Sequence, residues 1–309
     1  CGITPGGTAI LCMLSFHTDM DFEYGVADQL SPRIRRVIAN NPSAFTFTGT
    51  GTYIIGTGDV AVIDPGPLLD PHVDAILNAL GPDEHVSHIL VTHTHLDHSP
   101  ACAPLQARTQ APIYGCPPPK PESFDGPRLE EDADDAFKPD HIVHDGDLIR
   151  GGDWTLECVA TPGHMANHVC YALQEEKTLF TGDHVMGWST SIIAPPDGNM
   201  QDYMNSLDRL LTRDDELYWP THGPCIPNPK EFVDGYIQHR RNREQQVLDR
   251  LSAGDTRIID MVAVMYADVD KRLHPAAALS VFAHMQDLVA RKRVKCAGQV
   301  ALDSEFTLL

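Results

Sequence analysis

The sequence predicts a layered α/β fold in its first 235 residues and a small winged-helix-like domain in the remainder. Strand-like segments come in two groups, and helical segments follow each group, as in a sandwich of sheets and helices. Beyond residue 235, helices are followed by an alternating segment typical of a β-hairpin. The 309 residues are enough for one large and one small domain.

We therefore divide the chain into three parts. Residues 1–40 form an N-terminal lead, residues 41–235 form the main domain, and residues 236–309 form a long helix and the winged-helix-like domain. The chain does not begin with Met and its first residues are Gly-rich. We expect part of the lead to lie upstream of the natural start, at Met13 or Met20.

The first group of elements begins with a predicted β-hairpin. Residues 45–55 and 59–63 alternate apolar and small residues around a Gly-Thr-Gly turn. Residues 71–80 have helical spacing, and residues 88–91 form the short apolar run of a buried strand. The stretch 117–140 is rich in Pro and acidic residues, so it predicts a surface loop or a flap.

The second group has four strand-like segments, followed by two amphipathic helices. The strands are predicted over residues 147–149, 154–160, 168–173 and 178–181. The helices are predicted over residues 200–211 and 229–251, and the exposed face of the longer one is expected to carry His239, Arg240, Arg241 and Arg243.

The C-terminal part predicts two more helices and a hairpin. Thr256 is expected to cap a helix that ends at Ala267, a second helix covers residues 275–292, and residues 294–309 alternate like a hairpin. This order of elements is the outline of a winged-helix module.

Charge and cysteine usage exclude several classes of protein. The formal net charge is −20, and residues 1–235 hold 12 basic and 34 acidic side chains. Such a field opposes nonspecific adhesion to nucleic acid or to an anionic membrane. The apolar run 9–14 is too short to span a membrane, and the eight cysteines form no CxxC pair. We expect reduced thiols, no membrane partner and a cytoplasmic protein.

The strongest chemical signal follows the buried strand at residues 88–91. Four candidate metal ligands lie within six residues: His93, His95, Asp97 and His98. In an extended turn, alternate side chains point to the same side, so His93 and His95 can bind one ion. Imidazole and carboxylate ligands suit zinc, and also iron or manganese where oxygen ligands share the site.

Three further motifs each place one candidate ligand at a strand end beside a Gly turn. They are Thr161-Pro162-Gly163-His164, Phe180-Thr181-Gly182-Asp183 and Pro220-Thr221-His222-Gly223-Pro224. Each alone is more typical of an ordinary turn, but their order after the first motif favours one shared metal site.

Taken together, these motifs resemble the five-motif pattern of the metallo-β-lactamase superfamily over residues 45–225. The resemblance implies an αββα sandwich with two divalent metal ions at one edge of the paired sheets. It implies one metal held by His93, His95 and His164, a second held by Asp97, His98 and His222, and Asp183 as the bridge. Zinc is the first expectation, with iron or manganese bound according to supply.

The resemblance also implies a mechanism. Two cations lower the pKa of a shared water, so that a metal-bridging hydroxide can attack an ester, a lactone or a phosphodiester near neutral pH. Asp97 and Asp183 are the expected catalytic carboxylates, and a bridging Asp183 is similar to the glyoxalase II and ribonuclease Z side of the superfamily.

A narrower resemblance lies in residues 202–207, in residues 239–246 and in the terminal helices. These segments resemble the β-lactamase-like protein 2 subfamily, whose mitochondrial member cleaves single-stranded RNA. An endoribonuclease is therefore one hypothesis, with phosphates held by residues 239–243 and by Arg291, Lys292, Arg293 and Lys295. The alternative is a thioesterase or lactonase of glyoxalase II type that acts on a small-molecule ester.

A third hypothesis makes the C-terminal module a DNA reader and the sandwich a ligand sensor. Residues 275–292 offer few Arg, Asn or Gln side chains for base edges, so we expect no sequence-specific DNA binding. The sequence leaves open whether the chain forms a homodimer.

Five residues outside the ligand set have expected places. His168 is expected to contact a ligand or substrate, and His184 to point into the sandwich. Tyr203 and Arg240 are expected at the entrance of the cleft. Cys225 is expected not to bind metal, because Gly223-Pro224 turns the chain away.

Overall fold

Two β-sheets form the centre of the protein. In the computed structural model, residues 14–118 and 133–309 are described. The first sheet has seven strands in sequential spatial order: Ala27–Ser31 (β1), Ile34–Ile38 (β2), Gly51–Ile55 (β3), Asp59–Ile63 (β4), His85–Leu90 (β5), Ile113–Gly115 (β6) and His141–Ile142 (β7). Strands β1 to β4 pair antiparallel, and β4 to β7 pair parallel.

The second sheet has five strands. Along the chain they are Leu148–Arg150 (β8), Thr155–Ala160 (β9), Val169–Leu173 (β10), Thr178–Gly182 (β11) and Leu217–Pro220 (β12), in spatial order β12-β11-β10-β9-β8. Only the β11–β12 pair in this sheet is parallel, and the other three pairs are antiparallel.

Helices cover the outer face of each sheet. They are Asp70–Asn78 (α1) and Cys102–Thr109 (α2) on the first sheet, and Met200–Leu211 (α3) and Pro229–Ser252 (α4) on the second. Between the two sheets, Tyr53 and Ile63 from one side pack with Tyr171 and Phe180 from the other. This burial of apolar faces on both sides of each sheet confirms the predicted αββα sandwich.

The C-terminal module has its own core. It contains Ile258–Met265 (α5), His274–Ala290 (α6) and a two-stranded sheet of Val294–Cys296 (β13) and Phe306–Leu308 (β14). Val247 and Leu251, from the second half of α4, pack in this core with Met261, Phe282 and Phe306. The helices and hairpin confirm the winged-helix-like prediction. Among the described residues there are also two short 3-10 helices, Gln174–Glu176 and Lys271–Leu273.

The predicted lead contains two strands that the sequence interpretation missed. Strands β1 and β2 lie within residues 1–40 and extend the first sheet beside β3. The charged side chains of β2 hide its pattern: Arg35 pairs with Glu84 at 2.7 Å, and Arg36 pairs with Asp28 at 3.2 Å. The first sheet therefore includes residues that the sequence interpretation placed in the lead.

Two local predictions are wrong. Residues 45–50 turn rather than extend, because Phe47 and Gly49 have positive φ angles, and the strand begins at Gly51. Thr256 does not cap α5, which begins at Ile258 after Arg257. The Thr256 carbonyl instead accepts a hydrogen bond from the Phe306 N–H, 2.8 Å away, in the hairpin.

The prediction that Arg240 lies on an exposed face is also wrong, because its side chain is buried against the sandwich. The centre of the predicted flap, residues 119–132, lies outside the described residues. After it, the backbone N–H of Asp134 donates to the Thr94 carbonyl at 2.6 Å, beside the first metal motif. No helix in the described ranges is long and apolar enough to cross a membrane.

Candidate metal centre

The seven predicted ligands meet at one edge of the sandwich. Four of them occupy the loop after β5, and one each follows β9, β11 and β12: His93, His95, Asp97, His98, His164, Asp183 and His222. All except the half-buried Asp97 are buried. The fold thus joins side chains from four chain segments that span 130 residues of sequence.

Three imidazoles form one compact set. The Nδ1 atom of His95 lies 2.9 Å from Nε2 of His93 and 3.1 Å from Nε2 of His164. Two ring nitrogens at such a distance share either a proton or a cation. These three side chains form one of the groups in the described residues that could hold a metal ion.

A second set contains a carboxylate and two imidazoles. Oδ2 of Asp97 lies 3.0 Å from Nε2 of His222 and 3.4 Å from Nε2 of His98. Oδ2 of Asp183 lies 3.4 Å from the same atom of His222, 3.6 Å from that of His98 and 3.9 Å from Nε2 of His164. The Asp183 carboxylate therefore stands between the two sets.

Buried atoms without hydrogen-bond partners support a cation at this place. Nε2 of His98, Nε2 of His222 and Oδ1 of Asp183 are buried and make no hydrogen bond of normal geometry in the described structure, although both ring nitrogens lie 3.0–3.6 Å from the carboxylates of Asp97 and Asp183. An unpartnered buried polar atom is costly, and a coordinated cation would satisfy all three. The donor set of imidazoles and carboxylates also fits zinc, iron or manganese.

The two sets differ in their electrostatics. Burial, and after it the neighbouring imidazole of His164, lower the pKa of His95 to about 3. Burial alone would also lower the pKa of His222, but the carboxylates of Asp183 and Asp97 raise it to about 10. The first set is thus held as neutral imidazoles, the form that binds metal, while the second set is rich in negative charge that attracts a cation.

Hydrogen bonds fix the orientation of three ligand rings. Nδ1 of His98 lies 2.9 Å from Oδ2 of Asp64, Nδ1 of His164 donates to the Ile192 carbonyl at 2.7 Å, and Nδ1 of His222 donates to the Gly49 carbonyl at 3.2 Å. Each contact places the ring proton on Nδ1 and leaves Nε2 free to face the cleft.

Asp64 is the main residue of this site that sequence reasoning missed. Besides His98, its carboxylate accepts hydrogen bonds from the Thr92 N–H and hydroxyl, each at 2.8 Å, and from the Thr221 hydroxyl at 3.0 Å. It is fully buried and has a φ of 48°. The sequence feature that could have identified Asp64 is its position directly after the apolar strand β4 and before a Pro-Gly turn.

A second missed contact supports Asp97. The Thr50 hydroxyl donates to Oδ2 of Asp97 at 3.1 Å, and Asn41 holds Thr50 through contacts of 2.9 and 3.0 Å. No local pattern in the sequence links these residues, which lie 47 or more positions from Asp97.

The other predicted residues have definite places. The ring of His168 accepts a hydrogen bond from the Asp183 N–H at 3.2 Å. His184 points into the protein, where its ring lies 4.6 Å from that of Tyr203. Tyr203 is fully buried and donates to the His184 carbonyl at 2.8 Å, so it does not line the entrance. Cys225 is absent from the candidate metal groups of the described residues.

Apolar side chains lie next to residues of the ligand motifs. The rings of Phe47 and Trp188 stack at 5.0 Å, and Trp188 lies against Gly223, the residue after His222. Leu96, between two ligands, is 44% exposed. We call these three side chains, Phe47, Leu96 and Trp188, the apolar mouth.

An αββα sandwich with a cluster of histidines and aspartates at one sheet edge has groups that could hold metal ions, as a metal-dependent hydrolase requires. Residues 46–222 match the metallo-β-lactamase superfamily, and residues 258–301 match the β-lactamase-associated winged helix domain. The chain belongs to the metallo-β-lactamase superfamily.

Named relatives agree with this family. The chain is 31% identical over 284 residues to a β-lactamase-like protein 2 homolog of Drosophila melanogaster, covering 90% of this chain and 94% of that protein. It is 32% identical over 253 residues to an atrochrysone carboxyl ACP thioesterase of Paecilomyces divaricatus, covering 78% of this chain and 73% of that protein.

A solved structure shows the same fold. A β-lactamase domain protein from Burkholderia ambifaria superposes with a TM-score of 0.78 at 17% identity, and the match covers 94% of this chain and 96% of that one.

Proposed function

We propose that the protein is a dinuclear metal-dependent hydrolase of thioesters or related small-molecule esters. The proposal assigns the ligands to two cations joined by one carboxylate: His93, His95 and His164; Asp97, His98 and His222; and Asp183 as the bridge. The compactness of each set and the unpartnered buried atoms support this division. Zinc is the expected metal, with iron or manganese as alternatives.

The chemistry divides between the cations and the protein. Two bound cations would supply a nucleophilic water near neutral pH and polarise the carbonyl of the substrate. The carboxylates of Asp97 and Asp183 would bind the cations and orient the attacking water. The fixed Nε2 atoms of the ligand rings keep the site preorganised, so that little reorganisation accompanies the reaction.

The apolar mouth is the observation that carries the choice of substrate. Two stacked aromatic rings, one of them against Gly223, and an exposed leucine between two ligands favour an apolar acyl group or ring over a phosphate chain. After burial, the largest influences on the pKa values of Asp97, His98, Asp183 and His222 come from neighbouring histidines and aspartates, not from lysine or arginine. A relative named as an ACP thioesterase fits the same choice.

The test is metal analysis of the purified protein, followed by parallel assays of a glutathione thioester, an acyl-carrier thioester, a lactone, a chromogenic β-lactam and single-stranded RNA. We expect two metal equivalents per chain and a kcat/KM for a thioester at least ~100-fold above that for RNA cleavage, a gap of about 2.7 kcal/mol. RNA cleavage without thioester hydrolysis would overturn the proposed substrate class.

The apolar mouth gives a sharper test. Trp188→Ala should lower kcat/KM for a long acyl chain about tenfold more than for an acetyl group, because about 1.5 kcal/mol of apolar contact is lost. Ile259→Ala, on the exposed face of the C-terminal module, is the matched control. It should leave kcat/KM unchanged for both the long acyl chain and the acetyl group. Equal losses for both chain lengths would argue against the mouth as an acyl site.

A single-stranded RNA endoribonuclease is the second candidate, and exposed cations beside the hairpin favour it. Lys292, Arg293 and Lys295 are exposed. Arg291 instead pairs with Glu244 and Asp287. The guanidinium of Arg243 also has a partner within the protein, since it lies 4.5 Å from the Tyr266 ring centroid.

Neutralising Arg291, Lys292, Arg293 and Lys295 together tests this candidate. If RNA is the substrate, the quadruple variant should bind RNA more weakly and lose roughly one unit of salt slope per phosphate contact. Thioester hydrolysis should stay unchanged, and an unaltered salt slope would rule out RNA contact by this cluster.

A further inference from the structure

The loop of residues 184–192, which we call the 184–192 loop, contacts two of the proposed metal ligands, Asp183 and His164. The Ser191 hydroxyl lies 2.6 Å from the Asp183 carbonyl and 2.9 Å from the His184 carbonyl. The Ile192 carbonyl accepts the ring proton of His164 at 2.7 Å. The path of this loop therefore sets the backbone position of the proposed bridging carboxylate and the ring orientation of one imidazole ligand.

Helix α4 holds the same loop through two buried polar side chains. The Tyr236 hydroxyl lies 2.6 Å from the Met186 carbonyl and 2.5 Å from the Ser189 carbonyl, and it accepts from the Met186 N–H at 3.0 Å. The Arg240 guanidinium donates to the Ser191 carbonyl. Both side chains lie one helical turn apart and therefore face the loop together.

The surroundings of Arg240 indicate that this contact is more than packing. Its side chain is 4% exposed, its guanidinium lies 5.2 Å from the Tyr203 ring centroid, and its Nε atom has no hydrogen-bond partner. A buried guanidinium that contacts a carbonyl and an aromatic ring costs more than an apolar side chain of similar volume. An apolar residue would stabilise the interface better but could not hold the loop carbonyl.

We propose that Arg240 and Tyr236 are positioning residues for the metal centre, which they order through the 184–192 loop. The inference rests on the proposed dinuclear function. It also gives the C-terminal module a role at the site, because the second half of α4 packs in the core of that module through Val247, Leu248 and Leu251. One helix thus connects the module to two metal ligands.

Two variants test the inference. Arg240→Met removes the donor and keeps most of the side-chain volume, whereas Tyr236→Phe removes only the hydroxyl and preserves ring packing. Metal affinity is measured by competition with a chromogenic chelator, and amide hydrogen exchange of residues 184–192 is measured in the metal-free protein. We expect each variant to weaken metal binding by about 10- to 100-fold and to exchange faster across the loop.

The matched control is Arg241→Met, which removes the same charge from the neighbouring, exposed position of α4. It should change neither metal affinity nor loop exchange. A folded Tyr236→Phe or Arg240→Met protein with wild-type metal affinity would overturn the inference, and so would an equal effect of Arg241→Met. Failure of the wild-type chain to bind two metal equivalents would instead overturn the proposed function.

Discussion

At the scale of single residues, His98 shows how a buried ligand is kept in one orientation. Its Nδ1 atom contacts Asp64 at 2.9 Å, while its Nε2 atom faces the carboxylates of Asp97 and Asp183. Burial would lower its pKa, but the surrounding carboxylates raise that pKa well above the usual range. A cation in the cleft would take the place of the ring proton between these negative charges.

Removing a ligand from the second set should separate catalysis from folding. We expect Asp97→Ala to lower kcat/KM by more than about 100-fold and metal content from two equivalents to one, because a proposed ligand of the second cation is lost. Circular dichroism should stay unchanged, because the sandwich core does not include Asp97. Cys225→Ser is the control and should keep both metals. Full activity of the Asp97→Ala protein with one metal would contradict the dinuclear mechanism.

Asp64 allows a test of orientation without loss of a ligand. Asp64→Asn keeps the side-chain shape but cannot accept all four hydrogen bonds, so metal affinity should fall about 10- to 100-fold while two equivalents still bind at saturation. Asp59→Asn, at the exposed start of the same strand, is the matched control. Competition with a chelator measures the metal affinity of each variant. Equal affinities in the two variants would argue against the role of Asp64.

At the scale of elements, Gly turns bring strand ends and ligands together. Gly163 precedes His164 and has a φ of 143°. A Cβ atom there would lie 2.3 Å from the Cα atom of Tyr203 in α3. Glycine at this position therefore lets the ligand loop pack directly on the backbone of the helix that covers the second sheet.

A pair of glycine substitutions separates this close approach from backbone strain. Gly163→Ala should lower the free energy of unfolding by about 2–5 kcal/mol, because movement of the helix backbone adds to the strain of the positive φ angle. Gly146→Ala, with a φ of 82° and no atom within 4 Å of the added Cβ, should cost only the strain of about 1–2 kcal/mol. Urea denaturation measures both, and an equal loss in the two variants would contradict the packing argument.

Most helices and strands could be predicted from their apolar spacing, but helix α2 and the short strands β6, β7 and β12 were not predicted. Helix α3 was predicted with its observed bounds, and α4 to within one residue at its C-terminal end. Strand β2 escaped because its arginines are paired across the sheet, and residues 45–50 were misjudged because positive φ angles interrupt the alternation. Local patterns indicate an element, but pairing with distant residues decides whether a charged segment such as β2 joins the sheet.

At the scale of the whole molecule, metal binding and stability should be coupled. Each cation bound at 100 times its dissociation constant contributes about 2.7 kcal/mol to the folded state, so removal of two should cost about 5 kcal/mol. We expect chelation to lower the Tm by roughly 10 °C or more in calorimetry, and zinc to restore it. Unchanged melting of a verified metal-free protein would mean that the cluster is not a metal centre.

The net charge of the protein also bears on the choice of substrate. The net charge of −20 discourages contact with a polyanion, and Arg240 from the predicted basic cluster is buried. This charge therefore argues against the RNA candidate, independently of the apolar side chains beside the ligands.

The seven candidate ligands and the order of the two domains could be identified from the amino-acid sequence alone. This was possible because ligand motifs and Gly turns are local: each places one or more donors at the end of a strand, and apolar periodicity reports each element. Only the tertiary structure decided that Asp64 orients His98, that Arg240 is buried, and that α4 holds the 184–192 loop. Those contacts join residues 34 or more positions apart, where side-chain packing leaves no local pattern to read.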